Sequence, residues 1–485
     1  MTTRKMRVFA LLALLFLCVS ASVFAQVNTG SITGTVKDAS GGVIPGATVT
    51  ATNVATSVAR TLESGSLGQF TLQALPVGNY RVKVTAPSFK TWETAVEVTV
   101  GGTTSLNVQL EVGSSAVVVE VTAAAGTEIN TETHELSQLV DNQQLQNLPS
   151  LTRNPYDFVV SAGNVSSGDN TTSSMNSGQN LTNRGVGVSI NGQRETGTEI
   201  LLDGAENVAV FGVSIGQDVP VDAVQEYSIV TNNFSAEYGR ASGGVVNVAT
   251  KSGTDDFHGS LWEYNRLAAY TANTFTDDAE GLPKGQYTRN MFGFAVGGPI
   301  KKDKLFFFGS TEWTRVRSNA SETAEILDPA FIAMLPANVQ AYFGKYGTGA
   351  VPASGQVTTA GELEALTPTP FAVGPINGVT AVPASTPVFD TVNFTAPFDA
   401  GGGVPVNQYV IAAKIDYNLT NNTQMFFRAG YESQGFFPGS AFYSAYPQYD
   451  VGTKNVNQSY LYSINHAFST SIIDNFKASF TRSTA

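Results

Sequence analysis

The chain has 485 residues, of which only 14% are charged and 10% aromatic, with 47 glycines, one cysteine and a net charge of −12. An acidic chain lacks the basic face that nucleic-acid phosphates require, so no nucleic acid is expected as a partner. The length allows about three domains, and abundant glycine and aromatics with sparse charge point to a mostly β protein.

Arg4, Lys5 and Arg7 open the chain, an apolar run follows from Val8 to Val19, and Val23-Phe24-Ala25 offers small residues beyond it. This is the pattern of an export leader, residues 1–25, cut between Ala25 and Gln26. The apolar run is shorter than the roughly 20 residues that a full span takes. A retained anchor and lipid attachment at Cys18 are the alternatives, and the bulky Leu17 before Cys18 speaks against the second. Loss of the leader removes the cysteine, so the exported chain would form no disulfide.

Residues 26–112 read as a β-sandwich. Ile32-Thr33-Gly34-Thr35-Val36-Lys37, Ala47 to Thr52, Tyr80 to Val84 and Ala95 to Val100 alternate apolar and polar side chains, with turn residues between them. The stretches Gly34-Thr35-Val36, Pro45-Gly46-Ala47-Thr48-Val49, Gly68-Gln69-Phe70 and Leu75-Pro76-Val77-Gly78-Asn79-Tyr80 resemble a carboxypeptidase regulatory-like domain. The resemblance implies no peptidase chemistry. Tyr80 is expected to pin a corner of the sandwich rather than to touch a ligand.

A linker follows at 113–126, and its Val117, Val118, Val119, Glu120, Val121 and Thr122 form an apolar, β-branched run between two domains. Such a run can add itself to another protein's sheet edge. It resembles a TonB box, whose partner would be the TonB-type energy transducer of the inner membrane. The other reading is a last strand of the sandwich.

Residues 127–253 form the next unit. Leu136, Leu139, Val140 and Leu145 have helical spacing, so a helix is expected over 135–148, ended by Pro149. Residues 161–183 read as loop, and strands are expected at Val186 to Gly192, Glu199 to Gly204 and Val224 to Thr231. Five short stretches, in order, resemble the plug of a TonB-dependent outer-membrane receptor. They are Asn183-Arg184-Gly185, Asn191-Gly192-Gln193-Arg194, Leu202-Asp203-Gly204, Val224-Gln225-Glu226-Tyr227, and Asn233 to Arg240 continuing through Gly243-Gly244 to Gly253. The layout of regulatory-like domain, plug and barrel is similar to the Oar-like subgroup. In that resemblance Arg184, Gly185, Asp203, Gly204, Glu237, Arg240, Gly243 and Gly244 carry the plug motif. Gly243 and Gly244 are expected to permit a tight turn. Glu237 and Arg240 remain either a solvated pair or a contact between plug and barrel.

Beyond Phe257 seven strands are expected, at about 258–267, 287–297, 304–316, 408–417, 423–433, 457–468 and 471–482. Tyr409, Ile411, Ala413, Ile415 and Tyr417 share one face, opposite Lys414 and Asp416. Phe476, Ala478 and Phe480 oppose Asn475, Lys477 and Ser479. The connections are about 19, 6, 91, 5, 23 and 2 residues long, so long and short alternate strictly. Outer-membrane barrels have long extracellular loops and short periplasmic turns, which places the first strand rising from the periplasm. Residues 254–485 are therefore expected to be the first strands of an antiparallel transmembrane barrel facing outer-membrane lipid. A barrel of the receptor kind has on the order of 22 strands, so the seven are expected to be an incomplete part of one. A smaller independent fold is the alternative.

His134, His258 and His466 are scattered, with no metal-ligand spacing. No nucleophilic serine motif or phosphate loop occurs, so no catalytic site, metal or cofactor is expected. Asp255-Asp256 and Asp277-Asp278 read as solvated loop charges. The fold class is mostly β: an N-terminal sandwich, an α+β plug, then incomplete barrel. The resemblance implies a receptor of the outer membrane of a Gram-negative-type bacterium that imports an unknown extracellular ligand. A non-transporting adhesion or structural protein on the same scaffold is the other functional reading. The stretch 317–407, rich in Ala, Pro, Thr and Val, is either the capture loop or a variable surface insertion.

Overall fold

The computed structural model describes residues 29–113, 117–118, 134–150, 153–167, 188–209, 214–235, 238–273, 275–280, 284–347, 350–366, 382–440, 443–469 and 472–484. The leader with Ala25 and Gln26, the box residues Val119, Glu120, Val121 and Thr122, and the motif residues Arg184, Gly185 and Glu237 lie outside them.

The first unit is a sandwich of two sheets. Its strands are β1 (Gly30–Asp38), β2 (Thr48–Asn53), β3 (Ala59–Glu63), β4 (Gln69–Leu75), β5 (Gly78–Thr85), β6 (Trp92–Val98), β7 (Thr103–Leu110) and β8 (Val117–Val118). One sheet runs β4-β1-β7 and the other β3-β2-β5-β6-β8. Alternate residues face inward, so Ile32, Val36, Val49, Leu72, Val82, Val84 and Val96 fill one buried core. The Tyr80 hydroxyl donates to the Pro76 carbonyl oxygen at 2.8 Å. This fixes the corner before β5, as the sequence reading expects. Strands β3, β4 and β7 are additions to the four expected; β7 is largely polar and buries only Val108 and Leu110, which weakens its alternation.

The middle unit contains β9 (Leu136–Asp141), β10 (Val165–Ser167), β11 (Val188–Ile190), β12 (Thr198–Leu202), β13 (Ala205–Glu206), β14 (Val208–Ala209), β15 (Ser214–Ile215), β16 (Val224–Asn232) and β17 (Gly244–Thr250). Its main sheet is ordered β13-β12-β17-β16-β9, with β12 and β17 parallel. Val140, Tyr156, Ile190, Leu202, Tyr227, Ile229, Val246 and Val248 pack its core.

Here the expected helix at 135–148 is corrected. Leu136–Asp141 is an edge strand on β16, and only Asn142–Asn147 is helical. Asp141 caps that helix, accepting from the Gln144 amide at 2.7 Å. Leu136 is exposed and Leu139 only half-buried. Val140 on the strand and Leu145 on the helix do reach the core, but as parts of two elements, and pairing with the open edge of β16 outweighs a weak local helix propensity.

The third unit has β18 (His258–Leu267), β19 (Gln286–Lys301), β20 (Leu305–Leu327), β21 (Ala353–Thr359), β22 (Pro387–Ala396), β23 (Val406–Thr420), β24 (Thr423–Phe436), β25 (Lys454–Ala467) and β26 (Ile473–Thr484). Seven of these pair antiparallel in the order β18-β19-β20-β23-β24-β25-β26, so β18 and β26 are open edges and the barrel is not closed. Long and short connections alternate as expected. The stretch 317–407 departs from a plain loop: β20 runs on to Leu327 and pairs with β22, which pairs with β21. Phe331, Ala360, Val382 and Val388 give this cap its own small core.

One face of the seven-stranded sheet is apolar and outward. Phe292 stacks on Trp313, Tyr409 on Tyr431, and Phe427 and Phe480 both stack on Tyr460, with ring centroids 5.6 to 6.5 Å apart. Exposed cross-strand aromatics of this kind suit a lipid-facing wall. No described helix is long and apolar enough to cross a membrane. The sandwich sits at the end with the short turns: the Asp255 amide donates to the Ala55 carbonyl at 2.9 Å and the Asp303 amide to the Asp255 carboxylate at 2.7 Å.

Candidate functional site between the middle unit and the barrel wall

The inward face of the sheet holds the middle unit mainly through polar contacts, beside two small apolar clusters, Ala223 with Ala295, Phe308 and Ala412, and Ala205 with Phe426 and Leu461. The centre of the polar contacts is Asp203, in the two-residue turn Asp203-Gly204 between β12 and β13. Both residues are left-handed, with φ of 53° and 75°. Asp-Gly is the pair such a hairpin turn favours. The turn carries Asp203 to full burial at 0% exposure.

The Asp203 carboxylate accepts from the Thr250 amide at 2.9 Å and the Thr250 hydroxyl at 2.7 Å. Arg428 Nε on β24 lies 3.1 Å away and Lys414 Nζ on β23 lies 3.6 Å away. Burial by itself would raise the Asp203 pKa, but Lys414, Arg428 and Thr250 together hold the carboxyl below its ordinary value. Arg428 Nη1 also donates to the Ser459 hydroxyl on β25 at 3.2 Å. One turn of the middle unit is thus bound to adjacent wall strands through charge.

Two further clusters lie along the same interface. Arg153 pairs with Asp222 at 2.8 Å and reaches to 4.0 Å from Glu312 of β20, while its guanidinium stands 3.7 Å over the Tyr264 ring of β18. Glu312 also accepts from the Trp262 indole at 2.8 Å. In the third cluster the Asp218 amide donates to Glu432 of β24 at 3.2 Å. The Gln408 amide of β23 donates to both Asp218 and Glu432, at 3.2 and 3.3 Å. Asn457 of β25 donates to Glu432 at 3.0 Å. Gln217 meets the Ser459 hydroxyl.

The sandwich joins the assembly at its other side. The Val100 amide donates to the Glu226 carboxylate of β16, which is 1% exposed. Burial lifts the Glu226 pKa to about 8; the Val100 bond opposes this, and the nearby Glu97 and Asp141 carboxylates reinforce it. A cavity of about 280 Å³ lies where all three units meet, lined by Tyr80, Asp203, Phe306, Lys414 and Gln424 among others.

Other residues singled out in the sequence are placed as follows. Arg240 pairs with Glu206 of β13 at the surface, with both side chains exposed. Gly243 and Gly244 do not adopt a left-handed backbone. Glycine is required there by close packing: a Cβ on Gly244 would stand 2.7 Å from both Ile190 Cδ1 and the Val230 carbonyl oxygen. The chain does bend at Ser242-Gly243 on entering β17, without a left-handed residue. Val117 and Val118 form a short parallel pairing with Trp92 and Glu93 of β6. Among the described residues no His, Cys, Asp and Glu group is arranged to hold a metal ion.

Arg153, Asp218, Glu312, Gln408, Arg428 and Glu432 are site residues that the sequence reading did not pick out. For Glu312, Arg428 and Glu432 the signal is charge on the inward face of a barrel strand, as at Lys414; Arg153 and Asp218 of the middle unit and the uncharged Gln408 carry no such signal.

Residues 249–485 match the family described as outer membrane beta barrel domain, and residues 31–111 match the carboxypeptidase regulatory-like domain. The chain is 29% identical over 297 residues to the TonB-dependent transporter Oar of Myxococcus xanthus, covering 59% of this chain and 27% of that protein. It is 32% identical over 152 residues to a probable TonB-dependent siderophore receptor, PirA, of Acinetobacter baumannii, covering 29% of this chain and 18% of that protein. The chain thus spans about a quarter or less of the length of these relatives. The solved outer membrane transporter YddB of Escherichia coli aligns at a TM-score of 0.44 and 11% identity, over 69% of this chain and 37% of that one.

Proposed function

From the premise that this chain is an outer-membrane β-barrel protein of a Gram-negative-type bacterium, homologous to TonB-dependent receptors and transporters, we propose that it captures a ligand at the cell surface. It imports that ligand with energy transmitted from the inner membrane. Residues 127–253 act as the plug, and the run from Val117 to Thr122 is the segment pulled by the TonB-type transducer.

The observation that carries this reading is the polar seat of the plug. A unit meant to stay fixed would be served by an apolar interface, since buried ion pairs add little net stability over apolar packing. The links from Asp203 to Lys414 and Arg428, and from Asp218 to Gln408 and Glu432, are of another kind. Water can replace each partner in turn, so the plug can shift without exposing a large apolar surface. Release starts at the periplasmic side, at the end of the sheet where the sandwich and β8 lie. The cap on β20, β21 and β22, with the aromatic side chains of Phe394, Phe398 and Tyr443, is the capture surface.

Deletion of residues 117–122 tests this. Loss of uptake with normal surface display supports transport. Unchanged uptake together with lost adhesion would replace it by the adhesion reading.

A further inference from the structure

The registers of the wall strands set out horizontal rows on the outer face. Opposite Trp313 lie Phe292 on one side and Tyr409 on the other, and Tyr409 is opposite Ser433. This row closes the aromatic band on the side of the long loops. The next row outward is Asn290, Arg315, Asn407, Gly435 and Lys454, each directly opposite the next. Arg317, two residues beyond Arg315, faces the same way.

These orientations follow from the alternation in β20, where Phe306, Phe308, Ser310, Glu312, Thr314 and Val316 are all buried on the inner face. Arg315 and Arg317 are therefore outward, and Lys454 is exposed on β25. At about 3.4 Å per residue and about 4.8 Å between strands, Arg315 and Arg317 are about 7 Å apart and Lys454 is roughly 14 Å along the row.

Among the described residues, none of these three cations has a carboxylate at ion-pair distance. Arg315 Nη1 donates to the Gln408 and Thr314 carbonyl oxygens. Arg317 donates to the Asn407 side chain and the Val316 carbonyl, and lies 4.6 Å over the Phe437 ring. These contacts orient the guanidinium groups and leave their charge uncompensated. Glu263, the nearest acid by register on the outer strand faces, lies two strands from β20. Like charges on one sheet face repel unless an anion lies between them.

We propose that Arg315, Arg317 and Lys454 form a docking surface for the phosphorylated headgroup of an outer-leaflet lipid. Two features favour a lipid over a soluble anion. The cations stand immediately above the aromatic band, at the level where headgroups meet the hydrocarbon. They also face away from the lumen, so a ligand in transit does not meet them. Clustered cations at this level attract anionic headgroups by about 1 kcal/mol each, or about fivefold in affinity per charge.

The test uses receptor purified from its own outer membranes into a non-ionic detergent. Phosphatidic acid, phosphatidylcholine and inorganic phosphate are titrated separately, with thermal unfolding as the readout. The expected result is a rise in Tm with phosphatidic acid and none with the other two. The R315Q/R317Q variant should need about 25-fold more phosphatidic acid for the same rise, two charges at about fivefold each, and K454Q about fivefold more. R315K/R317K keeps the charge and should restore most of the response, which separates lost charge from lost packing. An equal response of wild type and K454Q to phosphatidic acid would overturn the proposal, and so would a rise with inorganic phosphate equal to that with the lipid.

Discussion

Replacing Asp203 by Asn removes one negative charge and almost no volume. The carboxylate is fully buried and faces two cations, Arg428 at 3.1 Å and Lys414 at 3.6 Å. The amide that replaces it retains an oxygen for the Thr250 N–H, so the turn survives. The two cations are left buried without their anion, and removing one partner of a buried pair costs about 3–5 kcal/mol. Taking about 3 kcal/mol, at a factor of ten per 1.4 kcal/mol, the plug should leave its seat roughly 150 times more often. Peptide-level hydrogen exchange of β17, which pairs beside the turn, reads this directly. The variant should exchange about two orders of magnitude faster there, with the sandwich unchanged. Adding Arg428→Met should return part of the protection, because the uncompensated charge goes with it. Exchange of Asp203→Asn at the wild-type rate would refute the view that charge seats the plug.

Three further changes follow from the same geometry. Docking of the sandwich on the plug should weaken as pH rises, because docked Glu226 keeps its proton up to about pH 8 while the freed carboxyl loses it near 4.5. Between those values the docked state binds more protons, which costs up to about 1.4 kcal/mol per pH unit and levels off above. Cross-linking yield between the units against pH should show this slope, and Glu226→Gln should flatten it. Tyr80→Phe deletes the 2.8 Å bond to Pro76 and should cost about 1 kcal/mol in urea unfolding of the sandwich. Gly244→Ala forces a methyl group to 2.7 Å from the Val230 carbonyl and Ile190, and should destabilise the plug by about 1–3 kcal/mol in the same assay.

Much of the fold was legible where a pattern is local. The face of Tyr409, Ile411 and Ile415 against Lys414 is visible in the sequence and is the face the sheet presents outward. Asp203-Gly204 is a turn signal in any context, and the alternation of long and short connections is visible in the sequence and present in the sheet. What failed depended on partners distant in the chain. Leu136 to Asp141 became a strand because β16 offered an edge about 90 residues away. The cap escaped notice because β22 pairs with an extension of β20 across about 70 residues of Ala-, Pro- and Thr-rich chain. The charged seat was half visible. Asp203 lay in a motif and Lys414 on a polar face, but only the register of β23 and β24 brings Arg428 to the same carboxylate.

On the proposed reading, an inner-membrane energy transducer grips the run after the sandwich. A photo-crosslinking amino acid at Val119, introduced into the receptor in living cells and activated by light, tests it most directly. The account predicts a covalent adduct with the transducer that grows when the transported ligand is present. Adducts confined to the receptor's own sandwich, with the receptor normally displayed at the surface, would contradict it.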